Sequence, residues 1–154
     1  MLIIKLAKAF KDHKIPYALV GGYAVALHGV TRGTIDIDLV INLDRKHYLA
    51  AEGILKGLGL APKLPVTAQE VFLFRKEFIK KRNLIAWSFS NPERPIEVVD
   101  IIITENLKNL NVKRVFYHNQ EIFIIGLQDL IKMKKKSKRP QDIEDVLALE
   151  EKLK

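Results

Sequence analysis

Apolar residues recur at Leu2, Leu6, Ala9 and Phe10, three or four positions apart, and this spacing predicts an amphipathic helix over residues 2–13. Pro16 cannot continue it, because proline lacks the amide hydrogen that a helical turn needs. Tyr17-Ala-Leu-Val20 then reads as a short buried strand, interrupted by Gly21-Gly22. A second apolar helical stretch runs from Tyr23 to His28, with Gly29 placed as its C-cap. The period changes to two in Ile35-Asp-Ile-Asp-Leu-Val-Ile41, where alternating β-branched residues predict a strand.

Asp44 is a suitable N-cap for a helix over about residues 45–57. Gly57-Leu-Gly59 with Pro62 and Pro65 marks a loop. Thr67-Ala-Gln-Glu70 then fits a capping box that opens another helix. Residues 82–90 and 96–103 read as two strands joined by the turn Asn91-Pro-Glu-Arg94. A hairpin is expected over 112–125, turning at His118-Asn119, and two helices close the chain at about 127–138 and 141–152, separated near Pro140. The order α-β-α-β-α-α-β-β-β-β-α-α predicts an α/β or α+β fold with a mixed sheet. At 154 residues, a single domain covering 1–154 is the expected organisation.

Composition narrows the chemistry. The absence of cysteine removes disulfides, thiolate metal sites and cysteine nucleophiles. His13, His28, His47 and His118 are scattered without zinc-ligand spacing. No apolar run approaches the roughly 20 residues that span a bilayer. The first residues, broken by Lys5 and Lys8, lack the marks of a signal peptide, so no membrane association and a cytoplasmic location are expected. The net charge of +8 suits a polyanionic partner, nucleic acid or a triphosphate. A generally lysine-rich composition would produce the same excess, so charge alone does not choose.

The chemistry-bearing residues lie in the apolar strands. A strand running into Gly21-Gly22 and then a helix lets backbone amides approach an anion. Asp36 and Asp38 are two apart on a predicted strand and would share a face, their Cα atoms about 6.6 Å apart. That spacing lets both carboxylates reach one divalent cation or a close pair of cations. Without a counter-charge, two carboxylates among Ile35, Ile37, Leu39 and Val40 would be costly. A third acid is sought on a neighbouring strand. Asp100, embedded in Ile96-Glu-Val-Val-Asp-Ile-Ile-Ile103, is preferred to Glu97, which falls on the opposite face. Arg32 and Thr34 enter the Asp36–Asp38 strand, near enough to meet phosphate or to cover the carboxylates. In the basic run Lys132–Arg139, Lys134 falls on the inward side of its helix, where it could approach the site or pair with Asp142 and Asp145.

Gly21-Gly22, Asp36-Ile-Asp38 and Asp100 in a later apolar strand together resemble the signature of the polymerase-β-type nucleotidyltransferase superfamily. The stretches Ile15–Leu39 and Gly126–Asp145 are similar to its small prokaryotic branch, that of AbiEii-type toxins and minimal nucleotidyltransferases. The resemblance implies a nucleotidyltransferase fold, a mixed sheet flanked by helices. It implies an enzyme that moves a nucleoside monophosphate from a nucleoside triphosphate to an acceptor: RNA or tRNA, a protein, or a small molecule. By the same resemblance Asp36, Asp38 and Asp100 are catalytic and hold Mg²⁺, two ions in all, and Gly21 and Gly22 contact the triphosphate; Arg32, Thr34 and Lys134 are nucleotide-contact candidates from their positions in the chain. A partner protein of a toxin–antitoxin pair is a further implication. A non-catalytic nucleotide- or RNA-binding module on the same fold is the alternative.

Overall fold

The computed structural model describes residues 1–154 apart from Arg32, Thr34 and Ile35; the predicted roles of Arg32 and Thr34 therefore lie outside the described residues. In chain order the elements are α1 (Leu2–Asp12), β1 (Tyr17–Val20), α2 (Gly21–Leu27), β2 (Ile37–Ile41), α3 (Arg45–Gly57) and β3 (Ala61–Pro62). They continue with α4 (Ala68–Leu73), α5 (Arg75–Arg82), β4 (Ala86–Asn91), β5 (Arg94–Ile102), a 3-10 turn (Leu107–Asn109), β6 (Val112–Tyr117), β7 (Gln120–Ile125), α6 (Leu127–Ser137) and α7 (Pro140–Glu151). Among the described residues seven strands form one mixed sheet in the order β3-β4-β5-β2-β1-β7-β6. The architecture is α+β, as the alternation of patterns predicts.

The local signals act as their chemistry requires. Asp44 caps α3 by accepting a hydrogen bond from the His47 amide. Thr67 and Glu70 form both halves of the capping box on α4. His118 and Asn119 both take positive φ, 49° and 63°, the left-handed pair that a tight two-residue hairpin needs.

Residues 68–82 depart from expectation. The helix opened by Thr67 stops at Leu73, and α5 follows as a separate element with no buried residue. It reaches Arg82, which the sequence pattern assigned to a strand, and ends at Asn83 in the left-handed region (φ 51°). The strand β4 accordingly starts only at Ala86. The short edge strand β3 was expected as loop; Ala61 and Pro62 pair with Ser90 and Phe89.

The sheet is buried on both faces at its centre. On one face Tyr17, Leu19, Ile37, Leu39, Ile41, Val99 and Ile101 pack with Ile3, Leu6 and Phe10 of α1 and with Tyr48, Ile54 and Leu55 of α3. On the other, Ala18, Val20 and Val40 pack with Ala24 and Val25 of α2, Leu130 and Ile131 of α6, and Val146 and Leu149 of α7. Side chains two apart on a strand share a face, so Asp38 and Asp100 belong to this second face. Among the described residues, no helix is long and apolar enough to cross a membrane.

Candidate active site

Sheet register builds the centre of the site. The pairing of β1 with β2 is antiparallel and places Val20 opposite Asp38. On its other side β2 runs parallel to β5, and Asp38 falls opposite Asp100. Two carboxylates from separate segments thus meet on one face, half-buried beside an apolar core. Glu97 takes the opposite parity on β5, and its Oε1 accepts a hydrogen bond from Asn91 at 3.0 Å. The opposite parity of Glu97 and Asp100 expected from the sequence is the one β5 shows.

Two such groups cannot both remain charged at no cost. Burial pushes the Asp38 carboxyl up to about 7, and the charge of Asp100, a hydrogen bond to Asp100 and the charge of Asp36 act in the same direction; Lys134 opposes them. A hydrogen bond between two carboxyl groups requires a proton on one of them. Near neutral pH Asp38 is therefore poised to hold or release a proton.

Asp36 does not lie on the strand. It occupies an exposed bend immediately before β2, so the shared-face argument made for Asp36 and Asp38 fails. Its charge still reaches Asp38.

Gly21 explains how the pair is accommodated. Its φ of +64° is one that side-chain-bearing residues rarely adopt, and a Cβ at this position would overlap Asp38 Oδ2 and come within 2.8 Å of Cγ. The sequence reads Gly21 as a backbone left open for phosphate; the structure shows that its bare Cα also makes room for the Asp38 carboxylate. Gly22 is buried in the first turn of α2. The far end of that helix is tied to the sheet, where His28 Nε2 donates to the Ile125 carbonyl at 2.7 Å. Tyr23 packs against the core of the opposite cluster.

Behind the acids lies a buried ionic network. Lys134 on α6 is only 7% exposed, and its Nζ stands 3.1 Å from Asp142 Oδ1 and 3.1 Å from Asp145 Oδ2, both on α7. Arg139 donates from Nε to Asp142 Oδ2 at 2.9 Å. Burial alone would raise the Asp142 carboxyl, but hydrogen bonds from Arg139, Ser137 and Lys134 outweigh it and hold the group well below the usual carboxylate range. Two cations thus balance two anions, which makes their burial tolerable.

Among the described residues no three His, Cys, Asp or Glu side chains are arranged as a ready metal cage. The Asp38–Asp100 pair nevertheless has the chemistry to receive Mg²⁺. Its hard oxygen donors suit that ion, and a divalent cation would offset the neighbouring charge that adds to burial in raising Asp38. Asp36 lies one residue outside the strand, in an exposed bend, and does not complete a three-carboxylate cluster with Asp38 and Asp100.

No model of a known protein family matches the sequence, and no curated protein matches it. Solved structures do. The antibiotic-resistance factor ANT(2'')-Ia superposes with a TM-score of 0.67 at 16% identity, covering 99% of this chain and 83% of that one. An antigenic nucleotidyltransferase-like protein from Paracoccidioides brasiliensis gives 0.61 at 18% identity, covering 96% and 73%. The lincosamide antibiotic adenylyltransferase LnuA, solved with lincomycin bound, gives 0.57 at 16% identity, covering 92% and 89%. The chain has the nucleotidyltransferase fold.

Proposed function

We propose that this protein is a nucleotidyltransferase, transferring a nucleoside monophosphate from a nucleoside triphosphate to an acceptor hydroxyl. The observation that carries the reading is the register pairing of Asp38 with Asp100 on one face, hydrogen-bonded and packed against the bare Cα of Gly21. In the reaction the acceptor oxygen forms a bond to the α-phosphorus, the bond to the β-phosphate oxygen breaks, and pyrophosphate leaves. The acceptor proton passes to a carboxylate of the pair, with Asp100 assigned that role. Mg²⁺ held by Asp38 and Asp100 would neutralise charge on the triphosphate and on the departing pyrophosphate.

The nucleotide is assigned to the surface between Gly21-Gly22 and the acids. Lys134 contributes positive potential from beneath. The acceptor remains one of three classes: RNA, a protein side chain or a hydroxylated small molecule. The third is favoured by the structural neighbours, since ANT(2'')-Ia was solved with adenylyl-2''-tobramycin and LnuA with lincomycin. A second reading, nucleotide binding without turnover, is favoured by the position of Asp36 outside β2.

The test incubates the protein with α-labelled nucleoside triphosphates, Mg²⁺ and, separately, total RNA, cell protein and a panel of polyhydroxylated small molecules. Label should appear in one acceptor class and vanish in Asp38→Asn and Asp100→Asn. Label that persists in both variants would remove the assignment. Nucleotide binding with no transfer to any class would establish the second reading.

A further inference from the structure

Arg139 is an unusual member of the buried network. Its partner Asp142 is 1% exposed, whereas the Arg139 side chain is 72% exposed. Its Nε is committed on the protein side, to Asp142 Oδ2 at 2.9 Å and Ser137 Oγ at 3.1 Å. The two terminal amino groups carry four further N–H donors that neither bond uses. A guanidinium fixed at one edge is pre-oriented rather than mobile, so less conformational entropy is lost when the other edge binds.

Its place in the fold, at the junction of α6 and α7, puts it on the same side of the sheet as the acids. Lys134, on α6, holds α7 through Asp142 and Asp145. The same helix packs on α2, whose first residue abuts Asp38. The charges of Arg139 and Asp38 are near enough to interact. Arg139 also precedes the first turn of α7, and Pro140 at the next position removes one amide that would otherwise need a partner.

We infer that Arg139 binds the phosphate tail of the nucleotide, presenting its terminal N–H groups to non-bridging oxygens, and that Lys134, Asp142 and Asp145 are the positioning residues that hold it there. This rests on the reading of the site as a nucleotidyltransferase centre, but pyrophosphate alone suffices to probe it. The guanidinium fork matches two phosphate oxygens at once, which an ammonium cannot do.

The experiment is calorimetric titration of the full chain with ATP, AMP and pyrophosphate in Mg²⁺, comparing wild type, Arg139→Ala, Arg139→Lys and the control Lys135→Ala. Lys135 is 59% exposed and stands 4.0 Å from Glu150, on the same helix as Lys134. Arg139→Ala should weaken ATP and pyrophosphate about 10- to 100-fold and AMP by less than about twofold. Arg139→Lys should recover only part of the loss, and Lys135→Ala should stay within about twofold of wild type. A far-UV spectrum unchanged from wild type establishes that Arg139→Ala folds. Equal ATP and pyrophosphate affinities in wild type and Arg139→Ala would overturn the inference. Pyrophosphate binding without any nucleotide binding would refute the nucleotidyltransferase reading and leave the anion site standing. Failure of wild type to bind either ligand would refute both.

Discussion

Replacing Gly21 by alanine perturbs the site through a single methyl group, and the structure allows its cost to be divided. The left-handed backbone at Gly21 (φ +64°) costs an alanine about 1–2 kcal/mol. The methyl also collides with the Asp38 carboxylate, which must rotate away and abandon its hydrogen bond to Asp100, a further loss of about 1 kcal/mol. Gly59→Ala isolates the first part. Gly59 has φ +87°, with nothing within 4 Å of the added Cβ, so it carries the backbone penalty without the collision. At pH 5, below the raised range of the Asp38 carboxyl, denaturant unfolding should place Gly21→Ala about 1 kcal/mol below Gly59→Ala. At pH 8 the gap should shrink, because Asp38 is then charged and its displacement takes it away from the neighbouring charges that raise it. Nucleotidyl transfer should fall about 100-fold in Gly21→Ala, the scale of a catalytic group displaced by about 1 Å, and should be unaltered in Gly59→Ala. Equal stabilities at pH 5, together with wild-type turnover in Gly21→Ala, would refute the contact between Gly21 and Asp38.

The other predictions concern the charges on the same face. The folded protein holds the Asp38 proton more tightly than the unfolded chain, so stability in EDTA should fall by a few kcal/mol as pH rises from about 4 through about 7. Asp38→Asn should flatten this slope in urea titrations, and Mg²⁺ at pH 8 should raise the wild-type midpoint; a slope unchanged in Asp38→Asn would show that the proton is held elsewhere. Lys134→Met removes the buried ammonium that faces both Asp142 and Asp145 and should cost about 3–5 kcal/mol. The triple variant Lys134→Met, Asp142→Asn, Asp145→Asn should recover much of it in thermal melts, and a triple variant no more stable than the single one would contradict the ionic account.

What the sequence made readable was local. The switch from helical period to alternation between Tyr23 and Ile41 identifies β2, and the parity of Glu97 and Asp100 on one strand separates the two candidates before any coordinates. Capping residues at Asp44 and Thr67 mark helix starts because their side chains bond within the same turn. Asp36 was misplaced because alternation continues through Ile35-Asp36 although the strand itself begins at Ile37. The split into α4 and α5 was hidden for a different reason. The second helix buries nothing, so it leaves no apolar stripe in the sequence, and its end depends on a left-handed Asn83. The contact between Gly21 and Asp38, and the approach of Arg139 to the acids, depend on how β1 lies on β2 and how α7 folds back along α6. These are tertiary events to which sequence spacing is blind.

The parallel pairing of β2 with β5 has a consequence for how the chain can vary. Everything between the two acids, from α3 through β4, is an excursion whose ends return to adjacent strands. Its helical core packs on the opposite face of the sheet from Asp38 and Asp100. Segments there can lengthen or shorten with the acids left in place, whereas one residue inserted between Arg94 and Asp100 would turn Asp100 to the wrong face. The excursion is where new recognition surfaces can be added at little risk, and β5 is the ruler that any such change must leave uncut.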